Sequence, residues 1–405
     1  MNSAESKTSS DFWWTVRKSI SRRLPYRVKL RIMGGYHWFF LQIDRLVDLI
    51  QLTVNGLGQK PRVYFPYYLT KRHNAWRTYR THGPLRYTAQ PWAELCHWVN
   101  LVPDSPRQPC VVECEHILAL ARDITNWQRG LQSVDLINRL VAQEKCRFVF
   151  TYSAGLVEHS RRYLHPDLWF KLGHIYLCFP PQPLVPLPPG SPFTILMIAS
   201  RYSDKGLPEA LQAFRVMRQR HGGDVRMLLV TQAIPPTYSL PEGVSHYDTP
   251  RMSDSLKAHV FQAAHVLYVP CYSDTAVPLC EASAFGVPVL ATRIHHGDEY
   301  VQDGVTGYLI TPPVYSYSEQ YGTRWKLWED FLADLDEMRE RGELQTVVDQ
   351  SIDRLETMFN DRARLTEMGH AARALHTARF SPEARNRRLL QLYEAALKAE
   401  TQFPE

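Results

Sequence analysis

The sequence predicts an α/β protein in which two domains are joined by a proline-rich connector. Downstream of the connector, short apolar runs of strand length alternate with stretches of helical periodicity. This alternation is typical of a parallel sheet covered by helices on both faces. Upstream, scattered strand candidates indicate a second, less regular α/β domain. A chain of 405 residues is long enough for two or three domains.

The connector runs from Pro180 to Gly190 and contains six prolines. This density excludes a helix or a central strand, because proline lacks the amide hydrogen and has a fixed φ. An extended, semi-rigid segment is therefore expected. We predict an N-terminal domain with a basic N-terminal region over residues 1–184, a C-terminal domain over 185–378 and a terminal helix over 379–405.

The C-terminal half has the clearest pattern. Its apolar runs predict strands at Phe193–Ala199, Val225–Thr231, Val244–Tyr247, His265–Pro270 and Val287–Thr292. Helices are expected at Pro208–Arg220, at Ser253–Ala264 with Ser253 as N-cap, in a short stretch before Gly286, and at Pro382–Lys398. Ligands of such sheets bind at the carboxyl ends of the strands.

The N-terminal half has weaker strand candidates. They lie at Val28–Ile32, Arg62–Phe65, Cys110–Glu113, Arg147–Phe150 and His174–Cys178.

Composition is that of an ordinary globular protein, with 44% hydrophobic and 22% charged residues. The seven cysteines are scattered and mostly lie in apolar runs, which favours core thiols in a reducing compartment. The polar stretch Met1–Asp11 lacks the apolar core of a signal peptide, and no run reaches the roughly 18 apolar residues of a spanning helix. We therefore expect a cytoplasmic protein.

The net charge of +6 is unevenly distributed, because no acidic residue lies between Asp11 and Asp44. This interval contains basic side chains and tryptophans, a composition that suits contact with the anionic inner face of a membrane. The other reading is a solvated basic face, or an arm packed on its own domain. Nucleic acid is not expected as a partner, since no nucleic-acid-binding motif accompanies the charge. The residues concerned are Trp13, Trp14, Arg17, Lys18, Arg22, Arg23, Arg27, Lys29, Arg31 and Trp38.

The stretch Ala199–Gly206 follows a strand and opens a helix. Arg201 can make a forked contact with an anion and Lys205 can act as a point charge. The helix N-terminus adds backbone donors. Together these groups could balance a diphosphate without a metal. Taken alone, the same two residues could be ordinary loop cations.

The stretch Pro270–Glu281 repeats this arrangement, because it follows the predicted strand at His265–Pro270 and opens a helix. The amides of Thr275, Ala276 and Val277 would point at an anion from a second helix N-terminus. Glu281, one turn into that helix, could accept hydrogen bonds from sugar hydroxyls. The alternative is a partly buried carboxylate paired inside the fold.

In combination these segments resemble the retaining GT-B glycosyltransferases of the family-4 type. The Arg-x3-Lys-Gly stretch is similar to the family's phosphate loop, and Pro270–Glu281 to its two-carboxylate motif. His295–Leu309 is similar to the segment ending in Asp-Gly-x-x-Gly, and Phe380-Ser-Pro-Glu383 with Leu390–Tyr393 to the last helix. The resemblance extends from about residue 193 to residue 398.

This resemblance implies two Rossmann-like domains that face each other across a cleft, with the last helix crossing back to the N-terminal domain. It also implies transfer of a sugar from a UDP-, GDP- or ADP-linked donor to a hydroxyl of a glycan or lipid-linked acceptor, as in polysaccharide biosynthesis. The anomeric configuration would be retained. Neither a metal nor another cofactor is expected.

The resemblance also implies roles for individual residues. Arg201, Lys205 and the helix start near Val277 would stabilise the leaving diphosphate, while Glu281 would hold the ribose. Asp274, with the amides of Thr275 and Ala276, would position the sugar. Met252 would contact the base through its backbone. In the N-terminal half, Gly34 and Gly35 form either the glycine loop beside the phosphates or a plain turn, and His116 is either the active-site histidine or a structural one.

Departures from the family pattern concern the sugar pocket. Asp274 stands where the family usually has Glu in a motif one residue longer, its Gly-Phe-Gly is missing, and His295-His296 replace Gly-Gly. Other functions are therefore an inactive sugar-nucleotide-binding or scaffold protein, and a phosphorylase, epimerase or hydrolase on the same frame. A nicotinamide enzyme is set aside, because Gly56-Leu-Gly58 lacks the third glycine of that fingerprint and follows no clear strand.

Overall fold

A computed structural model describes residues 63–64, 94–100, 102–103, 106–121, 134–232, 234–235, 238–249, 252–273, 275–294, 297–316 and 328–404. These residues all belong to one compact unit, Val63–Glu405. Several predictions lie outside the described residues: the strand at Val28–Ile32, the basic region, the glycines Gly34 and Gly35, Asp274, and the His295-His296 pair.

The N-terminal sheet has five parallel strands in sequence order. They are β1 (Val63–Tyr64), β2 (Leu95–Val99), β3 (Cys110–Glu113), β4 (Cys146–Thr151) and β5 (Leu172–His174). Helices α1 (Val134–Ala142) and α2 (Ala154–Arg161), with 3-10 helices at Ile117–Ala121 and Pro166–Lys171, accompany them. Every residue of β3 is buried, as expected for a strand covered on both faces.

The C-terminal sheet has six parallel strands in the order β11-β10-β9-β6-β7-β8. They are β6 (Phe193–Ala199), β7 (Val225–Thr231), β8 (Val244–Tyr247), β9 (Val266–Val269), β10 (Val289–Thr292) and β11 (Gly307–Ile310). The helices are α3 (Leu207–His221), α4 (Asp254–Gln262), α5 (Ala276–Phe285), α6 (Gly297–Tyr300), α7 (Trp328–Glu340), α8 (Gln345–Asn360) and α9 (Arg362–Leu375), with a 3-10 turn at Gly222–Asp224. From β6 the chain first builds the sheet towards β8 and then returns to β9 on the other side. The carboxyl ends of β6 and β9 therefore form a topological switch point, where ligands of such sheets bind.

The last helix, α10 (Pro382–Leu397), follows a π-helical turn at His376–Phe380. Its Leu392 and Ala396 are fully buried in a cluster with Val111 and Phe148 of the N-terminal sheet. The predicted crossing back to the N-terminal domain is thus confirmed. The predicted apolar stripe ends early, because Leu397 is exposed.

Most predicted strands and helices are confirmed within a few residues. The strand predicted at His174–Cys178 is wrong in position: β5 ends at His174, which pairs with Thr151, the last residue of β4. Because β4 ends at Thr151, it cannot pair with a strand that continues to Cys178. Strand β2 was not predicted, because the polar side chain of its buried His97 interrupts the apolar run.

All seven cysteines are free thiols, and six of them are buried. Among the helices that the structure describes, none combines the length and apolar character needed to span a bilayer.

Candidate functional site

Two loops meet at the switch point, one after β6 and one after β9. Gly206 begins α3 with a φ of +68°. A Cβ atom at this position would lie 1.9 Å from the carbonyl oxygen of Pro270. Only glycine combines this conformation with so close an approach. The phosphate loop predicted at Ala199–Gly206 is therefore held directly against the start of the Pro270–Glu281 stretch.

Arg201 and Lys205 are joined through a buried carboxylate. Arg201 donates from Nε and Nη2 to the two oxygens of Asp204, at 2.7 and 2.6 Å. Lys205 Nζ donates to Ser273 Oγ at 2.9 Å, and Ser273 Oγ donates to Asp204 Oδ2 at 2.5 Å. Asp204 itself is fully buried. The structure therefore brings the two predicted cations into one hydrogen-bonded network with Asp204 and Ser273, neither of which was predicted as a site residue.

The network keeps Asp204 ionised. Burial opposes its ionisation, but the hydrogen bonds from Arg201 and Ser273 and the charges of Arg201 and Lys205 outweigh burial and lower the pKa of Asp204. One carboxylate thus faces two cations, and the loop carries a net positive charge. Because the Arg201 side chain is 48% exposed, this charge is accessible to an anion at the surface of the loop.

The back of the phosphate loop is fixed by Arg339 of α7. Its Nη1 donates to Ser203 Oγ at 3.0 Å, and its Nε donates to Glu209 Oε1 at 2.7 Å. Burial raises the pKa of Glu209, although Arg339 acts in the opposite direction. Asp336 lies in α7 and accepts a hydrogen bond from Ser203 Oγ.

Helix α5 starts at the same sheet edge as the phosphate loop. Thr275 is its N-cap but makes no side-chain capping hydrogen bond. Ala276 is buried, whereas Val277 is 53% exposed. A helix start without a side-chain cap has backbone donors available for an anion. The geometry fits the predicted contribution of these amides.

Glu281 lies in α5 and is paired with a lysine. Its side chain is buried, and Oε1 accepts from Lys257 Nζ of α4 at 2.5 Å. Burial raises the pKa of Glu281, while the hydrogen bond and charge of Lys257 act to lower it. Lys257 was not predicted as a site residue. The sequence offers one signal for it, since it is the only lysine in α4.

Met252 directly precedes Ser253, the N-cap of α4, as predicted. It is half-buried and packs against an apolar cluster that includes Val260 and Phe261.

His116 lies inside the N-terminal domain and is 1% exposed. Its Nδ1 accepts from the amide of Leu118 at 3.1 Å, so that Nε2 carries the proton and donates to Nδ1 of His159 at 2.5 Å. Burial, with a smaller contribution from Arg162, lowers the pKa of His159 to about 4. This environment matches the structural reading of His116, and its catalytic role stays a prediction.

Comparisons with known proteins match a segment of this chain and its fold. The family model described as Glycosyl transferases group 1 matches residues 192–318, which contain both loops. Among solved structures, sucrose-phosphate synthase from Thermosynechococcus elongatus superposes with a TM-score of 0.54 at 17% identity, covering 80% of this chain and 77% of that one. A glycosyltransferase from Rickettsia africae gives 0.51 at 14% identity, with 82% of each chain covered.

The HepE protein of Anabaena, solved in complex with UDP and glucose, also gives a TM-score of 0.51, at 15% identity, with 75% of this chain and 78% of that chain covered. The fold is GT-B. The matched segment and the fold together support a group 1 glycosyltransferase. Among curated proteins, sequence comparison finds no match.

Within this GT-B fold, Glu299 links the two sheets. Its carboxylate oxygens accept from the amides of Ala154 and Gly155, the first residues of α2, at 2.8 Å each. Next to it, Tyr300 Oη donates to the carbonyl oxygen of Tyr152 at 3.2 Å. Glu299 lies in the segment that resembles the family but was not predicted as a site residue. No local pattern around Glu299 indicates that its partners lie after β4.

Proposed function

We propose that the chain is a retaining glycosyltransferase that moves a sugar from a nucleotide-sugar to a hydroxyl of a glycan or lipid-linked acceptor, without a metal. The observation that supports this most is the network of Arg201, Asp204, Ser273 and Lys205. It lies at the switch point, where two helices begin without side-chain caps.

The proposed chemistry depends on charge at the leaving group. As the bond between the sugar and the diphosphate breaks, its electron pair stays on the diphosphate oxygen. The acceptor hydroxyl forms its new bond on the same face of the sugar and transfers its proton to the departing diphosphate oxygen. Arg201, Lys205 and the amides near Val277 would stabilise the developing negative charge, which is usually the largest contribution to such catalysis.

The remaining site residues complete the proposal. Glu281 would accept from the ribose, Met252 would contact the base, and Asp274, Thr275 and Ala276 would position the sugar. Gly34 and Gly35 would lie beside the phosphates, and His116 would act from the N-terminal domain. UDP is the first nucleotide to test, because HepE was solved with it, followed by GDP and ADP.

We also propose the domain limits 1–184, 185–378 and 379–405, with a cytoplasmic protein bound peripherally to the inner face of an anionic membrane. The support for membrane binding is the basic, tryptophan-containing interval between Asp11 and Asp44. Flotation with vesicles that contain anionic lipid is the test. A protein that stays unbound at low salt would remove the membrane from the proposal.

Calorimetric titration tests the proposed function directly. UDP, GDP, ADP and their common sugar conjugates are titrated in EDTA into the wild type, Lys205→Ala and Glu281→Ala, with the exposed Lys398→Ala as control. We expect one nucleotide to bind, with an affinity reduced about 10- to 100-fold in the two site variants, the range for a hydrogen bond to a charged group. A folded protein that binds none of them would overturn the proposal.

A second candidate is an inactive nucleotide-sugar-binding protein. The observation in its favour is that the forked donors of Arg201 already bind Asp204. Sugar transfer or donor hydrolysis, followed as nucleotide release, separates the two candidates. A protein that binds the nucleotide-sugar but releases no nucleotide with any acceptor tested would favour the inactive candidate.

A further inference from the structure

The pair formed by Glu281 and Lys257 lies at the edge of the sheet where the donor would bind. Helices α4 and α5 follow β8 and β9 and begin at the carboxyl ends of these parallel strands. Lys257 is in the first turns of α4, and Glu281 is in the middle of α5. The Lys257 side chain is 18% exposed and the Glu281 side chain 6%. The pair is therefore nearly buried beside the proposed nucleotide site.

Lys257 occupies only one oxygen of the carboxylate. Its Nζ donates to Oε1 at 2.5 Å. Within the part of the chain that the structure describes, this is the only hydrogen bond to the Glu281 carboxylate. An ionised carboxylate has about four acceptor positions. Oε2 therefore keeps its capacity to accept from a ligand.

The ammonium group of Lys257 is also held on a second side. Its Nζ lies 4.5 Å from the centroid of the Phe179 ring. Phe179 is itself fixed, because its amide donates to the carbonyl oxygen of Phe380 at 3.0 Å and its carbonyl oxygen lies 2.9 Å from Nε2 of His376. A lysine that contacts both an aromatic face and a carboxylate has little rotational freedom left. Lys257 thus fixes the position of Oε1, and with it the direction of Oε2.

We propose that Lys257 is a positioning residue that aims Glu281 at the ribose and so makes the site selective for ribonucleotides over nucleotides that lack the sugar hydroxyls. This inference rests on the proposed function. Lys257 acts through Glu281 and touches no reacting atom. Burial alone favours the neutral form of the Glu281 carboxyl group. The adjacent ammonium of Lys257 favours the charged form, which can accept hydrogen bonds from the two ribose hydroxyls.

The test compares the affinities of UDP, GDP and ADP with those of their 2′,3′-dideoxy counterparts by calorimetry. The proteins are the wild type, Lys257→Met, Lys257→Arg, Glu281→Gln and the exposed control Lys398→Met. For the wild type and Lys398→Met we expect a preference for the ribonucleotide of about 10- to 100-fold. In Lys257→Met this preference should fall below about 3-fold, with the dideoxynucleotide affinity unchanged. Lys257→Arg should restore most of it, because the guanidinium can also donate to Oε1.

Equal weakening of both nucleotides by Lys257→Met would overturn the proposal, since it would assign Lys257 to the phosphates or to folding. A ribose preference that survives in Glu281→Gln would overturn it as well. Lys257→Gln, which keeps a donor without the charge, serves in place of Lys257→Met should that variant fail to fold. Failure of the proposed function is a different result, namely that the folded wild type binds no nucleotide.

Discussion

The carboxylate of Glu299 caps helix α2 together with the N-cap Ser153, whose hydroxyl accepts from Leu156, by accepting a hydrogen bond of 2.8 Å from the amide of Gly155. A second bond of equal length comes from Ala154. A negative charge at a helix N-terminus is stabilised both by these donors and by the helix dipole. Since Glu299 follows β10 and α2 follows β4, the cap also holds the two sheets together.

Replacement of Glu299 by alanine removes this cap. We expect the free energy of unfolding to fall by about 1–2 kcal/mol, the upper part of the range for a lost N-cap. Urea denaturation followed by fluorescence measures the change, and small-angle scattering should show a larger radius of gyration without nucleotide. The control is Glu158→Ala in the same helix, whose exposed pair with Arg161 is worth about 0–1 kcal/mol. If the two variants were equally stable, the cap would not hold the sheets.

Gly206→Ala tests the close approach of the two loops. The new Cβ would collide with the Pro270 carbonyl oxygen, at 1.9 Å, in a residue with φ of +68°. We expect loss of more than about 3 kcal/mol of stability, or displaced loops and no nucleotide binding, since strain of 1–3 kcal/mol adds to the clash. Gly342→Ala is the matched control, because its φ is +74° and nothing lies within 4 Å of its Cβ. It should lose only about 1 kcal/mol and bind normally. Similar melting temperatures for the two variants would contradict the close packing of these loops.

The pairing of His116 with His159 predicts a dependence of stability on pH. In the folded protein the pKa of His159 is lowered to about 4, while its ordinary value is 6.5. Below pH 6.5 the unfolded chain binds this proton and the folded chain does not, so stability falls as the pH drops towards 4. At 1.36 kcal/mol for each pKa unit, the loss approaches about 3 kcal/mol.

His159→Asn removes this contribution and keeps an acceptor for His116. Chemical denaturation at intervals from pH 7 to pH 4 should give a flatter profile for the variant than for the wild type. Identical profiles would mean that His159 is protonated as readily in the folded state as in the unfolded one.

The sequence predicted elements and loops well, and their long-range partners poorly. Strand β6 and helix α3 were predictable because an uninterrupted apolar run and helical periodicity are local properties. The position of Arg201 and Lys205 in a loop between a strand and a helix was predictable for the same reason, while their role stays a prediction. Asp204, by contrast, is hydrogen-bonded to Ser273, which lies 69 residues away in the sequence. Lys257 is hydrogen-bonded to Glu281, which lies 24 residues away. Such pairs depend on the order of strands in the sheet, which periodicity does not encode.

The docking of α10 on the N-terminal sheet depends on an ion pair between Arg385 and Glu113. Arg385 Nη2 donates to Glu113 Oε2 at 2.7 Å, and both side chains are 11% exposed. His97 Nε2 lies 3.3 Å from the same oxygen, and His97 Nδ1 lies 2.7 Å from Tyr393 Oη of the helix. Burial opposes ionisation, but hydrogen bonding to His97 and the charge of Arg385 lower the pKa of Glu113. A charged carboxylate is therefore left uncompensated when Arg385 is removed.

Arg385→Met should lower the free energy of unfolding by about 3–5 kcal/mol, the cost of breaking one side of a buried pair. The double variant Arg385→Met with Glu113→Gln should recover part of this loss, since it removes the unpaired charge as well. Arg387→Met, on the exposed side of the same helix, is the control and should change stability by less than about 0.5 kcal/mol. Urea denaturation of the wild type, Arg385→Met, Glu113→Gln and the double variant gives the coupling energy. A coupling near zero would mean that the charges of Arg385 and Glu113 contribute nothing to the docking of α10, which would then depend on its apolar contacts and on the bond between Tyr393 and His97.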